Sequence, residues 1–240
     1  MEFQELGQGV VKRRERRVLG LFIDGTGLDR ATRRIARKVD LSALVRGVTS
    51  GITPVVARYY TLIPYEDDSR QRAFLDAVYR ANLEVIVKRL PPKGVTRQVS
   101  VDVEMAADIV AFALGHQDFG ELSKYQPGSL DGPQEPQRGG AIPSALPFVR
   151  ARQMAERAAA PKAPAPENPA PVRPAKTAAK EQRIITVVCP SRDLSYPLSL
   201  IKDLGIDTVS ADFGQFNIGD VLKSAAKWID LSDSETIWRQ

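Results

Sequence analysis

At 240 residues and 26.4 kDa, with 43% hydrophobic and 26% charged residues, the chain can bury one core of ordinary size and carry tails besides. A net charge of +5 suits a polyanion better than a membrane: no apolar run approaches the roughly 20 residues that span a bilayer, and the start lacks the apolar stretch of a secretion signal. The single cysteine, Cys189, excludes an intramolecular disulfide and a cysteine-built zinc site, so a reducing, cytoplasmic setting is expected.

Residues 1–16 read as a basic tail, with Lys12, Arg13, Arg14, Arg16 and Arg17 in one block that would capture a polyanion without positioning it. Val18 to Ile23 (VLGLFI) is a continuous apolar run ending in Asp24-Gly25, the pattern of a buried parallel strand leaving its sheet. Leu28, Ala31, Ile35 and Val39 then recur at helical spacing between Arg30, Arg33, Arg34, Arg37 and Lys38, and Asp40 can cap a second helical stretch with Leu41, Leu44, Val45 and Val48. Val55 to Leu62 (VVARYYTL) is β-branched and aromatic, a second strand, and Asp67, Asp68 and Ser69 are cap candidates for the helix QRAFLDAVYRANL. Tyr59 and Tyr60 alternate along that strand, so one is expected inside and the other free to reach a base or the sheet rim.

Val85 to Val87 reads as a third strand. VSVDVEMAADIVAFAL reads as a helix with Val101, Met105, Ile109 and Phe112 in phase. Of the 17 prolines, eleven fall between Gly120 and Gln182; with few large apolar residues to offset backbone entropy, 120–182 is expected to be a disordered, polyproline-like insert. Arg183 to Val188 (RIITVV) resumes as a fourth strand, Ser195 and Pro197 open the helix YPLSLIKDLG, and Gly205 stops it before the strand IDTVSA. Strands alternating with helices predict an α/β fold, one domain built from 17–119 and 183–234 around a parallel sheet covered on both faces. Ligands of such sheets gather at the carboxyl ends of the strands.

Asp24 and Asp193 follow the first and fourth strands and so belong to that edge. Asp102 and Asp108, six apart, point about 240° from one another around a helix, so both reach one cluster only if Asp102 lies at the helix start, as the extended look of VTRQVS suggests. Gathered carboxylates raise each other's pKa, and a hard cation such as Mg²⁺ or Mn²⁺ would neutralise them and activate water against a phosphodiester. Strand-end aspartates are also common caps and turn formers. His116, after Gly115 at a helix end, is expected on the surface; Cys189 is expected to pack as a small apolar group, and Trp228 to pack in the core. Gly25, Thr26 and Gly27 lack the full glycine-rich patterns of phosphate-cradling loops.

VLGLFIDGTGL resembles the opening motif of the NYN, or LabA-like, family, a PIN-like branch of metal-dependent ribonucleases, in which the strand is followed by Asp-Gly-x-Asn-Leu. VVARYY resembles its second strand, VDVEMAAD its paired helix aspartates, and the stretch from RIITVV to WIDL its closing strand, acidic motif, helix, strand, helix and strand. The resemblance spans about residues 17–116 and 183–231. It implies a PIN-like parallel sheet, metal-binding and catalytic roles for Asp24, Asp102, Asp108 and Asp193 with Mg²⁺ or Mn²⁺, and cleavage of RNA. Arg30, Arg33, Arg34, Arg37, Lys93, Arg97 and Arg192 would hold its phosphates. Two positions depart from the family pattern. Gly27 stands for its Asn and Ser191 for a carboxylate of Ser-Gly-Asp-x-Asp-Phe, which would place both beside the metal ligands rather than among them. The alternatives are a degenerate member that binds RNA or a protein without cutting, and a protein acting through a partner of its proline-rich insert.

Overall fold

Six strands, all parallel, form one sheet in the order β3-β2-β1-β4-β5-β6. The computed structural model describes residues 16–66, 69–119, 124–128, 181–216 and 219–239, all within one compact unit, Met1–Gly132 with Ala179–Gln240. Lys12 to Arg14, Asp67, Asp68 and the proline-rich run lie outside the described residues.

β1 (Arg16–Asp24) leads into α1 (Gly25–Ile35) and α2 (Leu41–Thr49), β2 (Val56–Ile63) into α3 (Ser69–Arg80), and β3 (Glu84–Arg89) through a loop into α4 (Asp102–Ala113). β4 (Glu181–Val188) is followed by α5 (Ser195–Asp203), β5 (Asp207–Asp212), the short α6 (Gly219–Ser224) and β6 (Lys227–Asp230). Asp40 caps α2, its Oδ1 accepting from the Ala43 N–H at 2.8 Å. α5 stops where Gly205 takes φ +78°, a left-handed step that suits glycine.

Successive strand residues face opposite sides of the sheet. Leu19, Leu21 and Ile23 pack with Leu28, Leu44, Leu75 and Val78 from α1 to α3, whereas Val18, Phe22 and Ile185 pack with Met105, Ile109, Phe112 and Leu198 from α4 and α5. Because both faces are covered, Tyr59 and Tyr60 are both buried, which corrects the expectation that one would reach the rim. Trp228 is also corrected: on the edge strand β6 it is 41% exposed. His116 is exposed and Cys189 buried.

The domain boundaries shift from the expected ones. Arg16 and Glu181 open their strands as register partners, so Arg16 is not tail and Glu181 and Gln182 are not insert. On the far edge Lys124 bridges Ile86, and buried Tyr125 donates its N–H to the Val85 carbonyl at 2.8 Å and its hydroxyl to Asp76 at 2.5 Å. Lys124 and Tyr125, within the expected insert, therefore pack against β3.

Candidate nucleic-acid interface at the carboxyl edge

β1 lies between β2 and β4, and the helices change faces there, so the end of β1 is the switch point of the sheet, the usual seat of a ligand. Asp24 occupies it. Its Oδ1 caps α1 by accepting from the N–H groups of Thr26 (2.9 Å) and Gly27 (3.0 Å), and the residue is buried. Burial raises its pKa to about 6. The Gly27 and Thr26 hydrogen bonds and the charge of Arg30 pull it down, and the charge of Asp102 pushes it up further.

Asp102 is the first residue of α4, the helix-start position the sequence required. Its carboxylate is held on both oxygens: Ser191 Oγ donates to Oδ1 at 2.6 Å and Ser100 Oγ to Oδ2, while Ser100 Oγ accepts from the Asp102 N–H at 3.0 Å. Lys88, near the end of β3, fixes this corner by donating to the Ser100 carbonyl (2.9 Å) and pairing with Glu104 (2.7 Å).

Asp108 does not join this pair as a further carboxylate. Two turns along α4, its Oδ2 accepts from Arg58 Nη1 at 2.6 Å and from the Tyr60 hydroxyl at 2.7 Å. Arg58, itself buried, also donates from Nε to Glu84 at 2.9 Å and lies 4.2 Å from the Phe119 ring centre. Burial works against its charge, but the Asp108 hydrogen bond and the surrounding negative charges hold its pKa above the usual guanidinium value. Asp193 sits in a one-turn 3-10 helix after β4 and is exposed. Among the described residues, no three His, Cys, Asp or Glu side chains form a group able to hold a metal ion. Of the expected cluster, Asp24 and Asp102 stand close enough for the charge of Asp102 to reach Asp24, Asp108 is drawn into an ion pair with Arg58, and Asp193 is exposed. Both oxygens of Asp102 are satisfied by hydroxyls and one oxygen of Asp24 by backbone N–H groups.

The structure adds residues that the sequence reading passed over. Along β4, β5 and β6 the edge continues through Cys189, Asp212 and Asp230. Asp212 Oδ1 accepts from the Phe213 N–H at 2.8 Å; burial raises its pKa, which that bond and the Cys189 thiol lower and Asp230 raises. Asp230 is half-buried, yet the Gly214 N–H (3.0 Å) and Ser232 N–H (2.8 Å) outweigh desolvation and keep its pKa low. The sequence signal for both was the rule that had found Asp24, an aspartate closing an apolar strand. Burial first, then the charges of Asp212 and Asp24, pushes the Cys189 thiol up.

Gly27 is pressed against β4. A Cβ there would lie 2.4 Å from the Cys189 carbonyl oxygen and 2.9 Å from Asp24 Oδ2. The asparagine usual at this point of the family motif has no room here.

Exposed basic side chains flank these residues along the chain. Arg30 is exposed and its charge reaches Asp24; Lys93 and Arg97 are exposed on the loop that delivers Ser100 and Asp102, and Arg192 is exposed one residue after Ser191. Further along α1, Arg33 pairs with Asp29 at 3.0 Å and Arg37 stacks 4.3 Å from the Trp238 ring centre, while Arg34 is exposed. These last three stand away from the carboxylates, toward the opposite end of α1.

The model of the NYN domain matches residues 18–119. That stretch runs from β1 through α4 and contains Asp24, Asp102 and Asp108; Ser191, Asp193 and the last three strands lie beyond the NYN match. A crystal structure of a protein of unknown function from Vibrio parahaemolyticus superposes with a TM-score of 0.57 over 94% of this chain and 97% of its own, at 10% identity, a likeness of fold. No curated protein matches the sequence. Among the described residues no helix is long and apolar enough to cross a membrane.

Proposed function

We propose that this chain binds RNA at the carboxyl edge of a nuclease-like sheet without cutting it as a metal-dependent nuclease would. One observation carries the reading. Ser191, which the resemblance sets where the family motif has a carboxylate, donates its hydroxyl to Asp102 at 2.6 Å; on that alignment a neutral hydrogen bond replaces the charge that would help hold a cation. Arg30, whose charge reaches Asp24, and the exposed Lys93, Arg97 and Arg192 would supply contacts of the kind that give sequence-independent affinity for phosphate.

The rival reading is Mg²⁺- or Mn²⁺-dependent cleavage of RNA phosphodiesters. It draws on the proximity of Asp24 and Asp102, whose repulsion is felt in the raised pKa of Asp24. Calorimetry with Mn²⁺ on the wild type and Asp24→Asn, together with incubation of both with labelled single-stranded RNA, separates the two. RNA retained on the protein with no saturable metal heat and no product is the expected result. Product that requires Mn²⁺ and vanishes in Asp24→Asn would replace the binding reading with the nuclease.

A further inference from the structure

One cavity among the described residues stands apart from the carboxylates. It lies between α1 and α3, has a volume of about 970 Å³ and opens to solvent, at the upper end of the range for small-ligand sites. Its apolar lining is made of Leu28 and Tyr59, both buried, and of Phe74, which is 42% exposed with its ring edge-on to Tyr59 at 6.1 Å. Its polar lining is unbalanced. Arg33, Arg37, Lys38, Arg80 and Arg239 border the cavity against Asp29 and Asp40, and Asp40 already caps α2.

The cations come from three distant parts of the chain, and backbone pairing brings them together. The Arg239 N–H donates to the Lys38 carbonyl and the Asp40 N–H to the Ile237 carbonyl, each at 2.8 Å, around the bridge of Val39 with Trp238. This pairing explains why Val39 leaves the expected helix. Among the described residues, Arg33 alone of the five pairs with a carboxylate, the exposed Asp29, and such pairs are weak and readily exchanged for a ligand anion.

We infer that the α1–α3 cleft is a binding site for a nucleoside phosphate, either free or within a single strand, with the base against Phe74 and the phosphate among Arg33, Arg37 and Arg80. Exposed aromatic faces beside arginines are the chemistry that recognises a planar base joined to an anion, and a bare anion would not need the apolar lining. The site lies on the face of α1 to α3, apart from Asp102 and Ser191 on the α4 side, so it does not depend on the reading of the carboxyl edge.

Titration calorimetry of the full chain with adenosine monophosphate, a single-stranded pentanucleotide and inorganic phosphate tests it. Saturable binding of a nucleotide probe, weakened at least about tenfold in Arg33→Ala/Arg80→Ala and unchanged in Arg46→Ala on α2, is expected. Phe74→Ala should weaken the nucleotide and leave inorganic phosphate as it was. Tighter binding of the monophosphate assigns a free nucleotide, and tighter binding of the pentanucleotide assigns a strand. No saturable nucleotide binding, or affinity unaltered by the double substitution in protein with a native circular-dichroism spectrum, overturns the inference. Inorganic phosphate that binds as tightly as the nucleotide, with nucleotide affinity unaltered by Phe74→Ala, does so too. Lys93→Ala/Arg97→Ala with RNA tests the carboxyl edge separately.

Discussion

Asp24 holds its proton more tightly in the folded protein than in the unfolded chain, with a pKa raised from 3.8 to about 6. An acid shifted upward costs the fold stability once it ionises. The cost is absent below about pH 4, grows across the window, and is fully present above about pH 6. At about 1.4 kcal/mol per pKa unit it reaches roughly 3 kcal/mol. Asp24→Asn keeps an oxygen for the Thr26 and Gly27 N–H groups while removing the charge. It should therefore be about 1–3 kcal/mol more stable than wild type in urea denaturation at pH 7.5, with the gap closing toward pH 4; a gap independent of pH would refute this account. Ser191→Asp acts in the opposite sense, setting a third carboxylate against Asp102 and Asp24. Its melting temperature should fall by several degrees in chelator, roughly the effect of 1 kcal/mol, and rise again with millimolar Mn²⁺ more than that of wild type does. Differential scanning fluorimetry reads both.

Single residues also mark what the sequence could and could not reveal. Asp24 and Asp40 were legible because the N–H groups they cap lie within three residues; Asp102 was legible as a helix start, although Ser191, which holds it, lies 89 residues away. Asp108 was not, because its partners Arg58 and Tyr60 lie 50 and 48 residues away. Gly27 was visible as a departure from a family motif. Its reason, a Cys189 carbonyl 2.4 Å from where a side chain would begin, exists only once β4 lies beside β1.

At the scale of elements, the Arg58 ion pairs tie β2 and β3 to α4 under the end of the sheet. A buried guanidinium that loses one carboxylate is left undercompensated, and such losses cost about 3–5 kcal/mol. Asp108→Asn should approach that range, discounted because Glu84 remains, whereas Tyr60→Phe, which removes one hydrogen bond, should cost about 1 kcal/mol. Arg58→Met/Asp108→Leu should recover much of the loss, since apolar replacement of a buried pair is often tolerated. Denaturant midpoints decide: an Asp108→Asn protein as stable as wild type would mean that the aspartate serves something other than the fold. The order of elements was largely readable from periodicity. The burial of both tyrosines and the exposure of Trp228 were not, since they depend on which strands are central and which is at the edge.

For the whole molecule, the net charge of +5 matters through its distribution over two surfaces, the carboxyl edge and the α1–α3 cleft. Binding of single-stranded RNA should weaken linearly in log affinity against log salt, and each phosphate contact removed should lower that slope by about 0.7. Lys93→Ala/Arg97→Ala is expected to reduce it by roughly 1.4, two contacts' worth. A slope unchanged in that protein would remove the β3–α4 loop from the RNA path.

Cys189 is the chain's only thiol, buried where β4 meets the switch point and held with φ at +51°. The molecule thereby carries its own clock. A maleimide or disulfide reagent can reach that sulfur only when the end of β4 lifts from β1 and β5. The rate of its modification, with and without RNA, times the opening of the very edge on which function is proposed, and requires no added label.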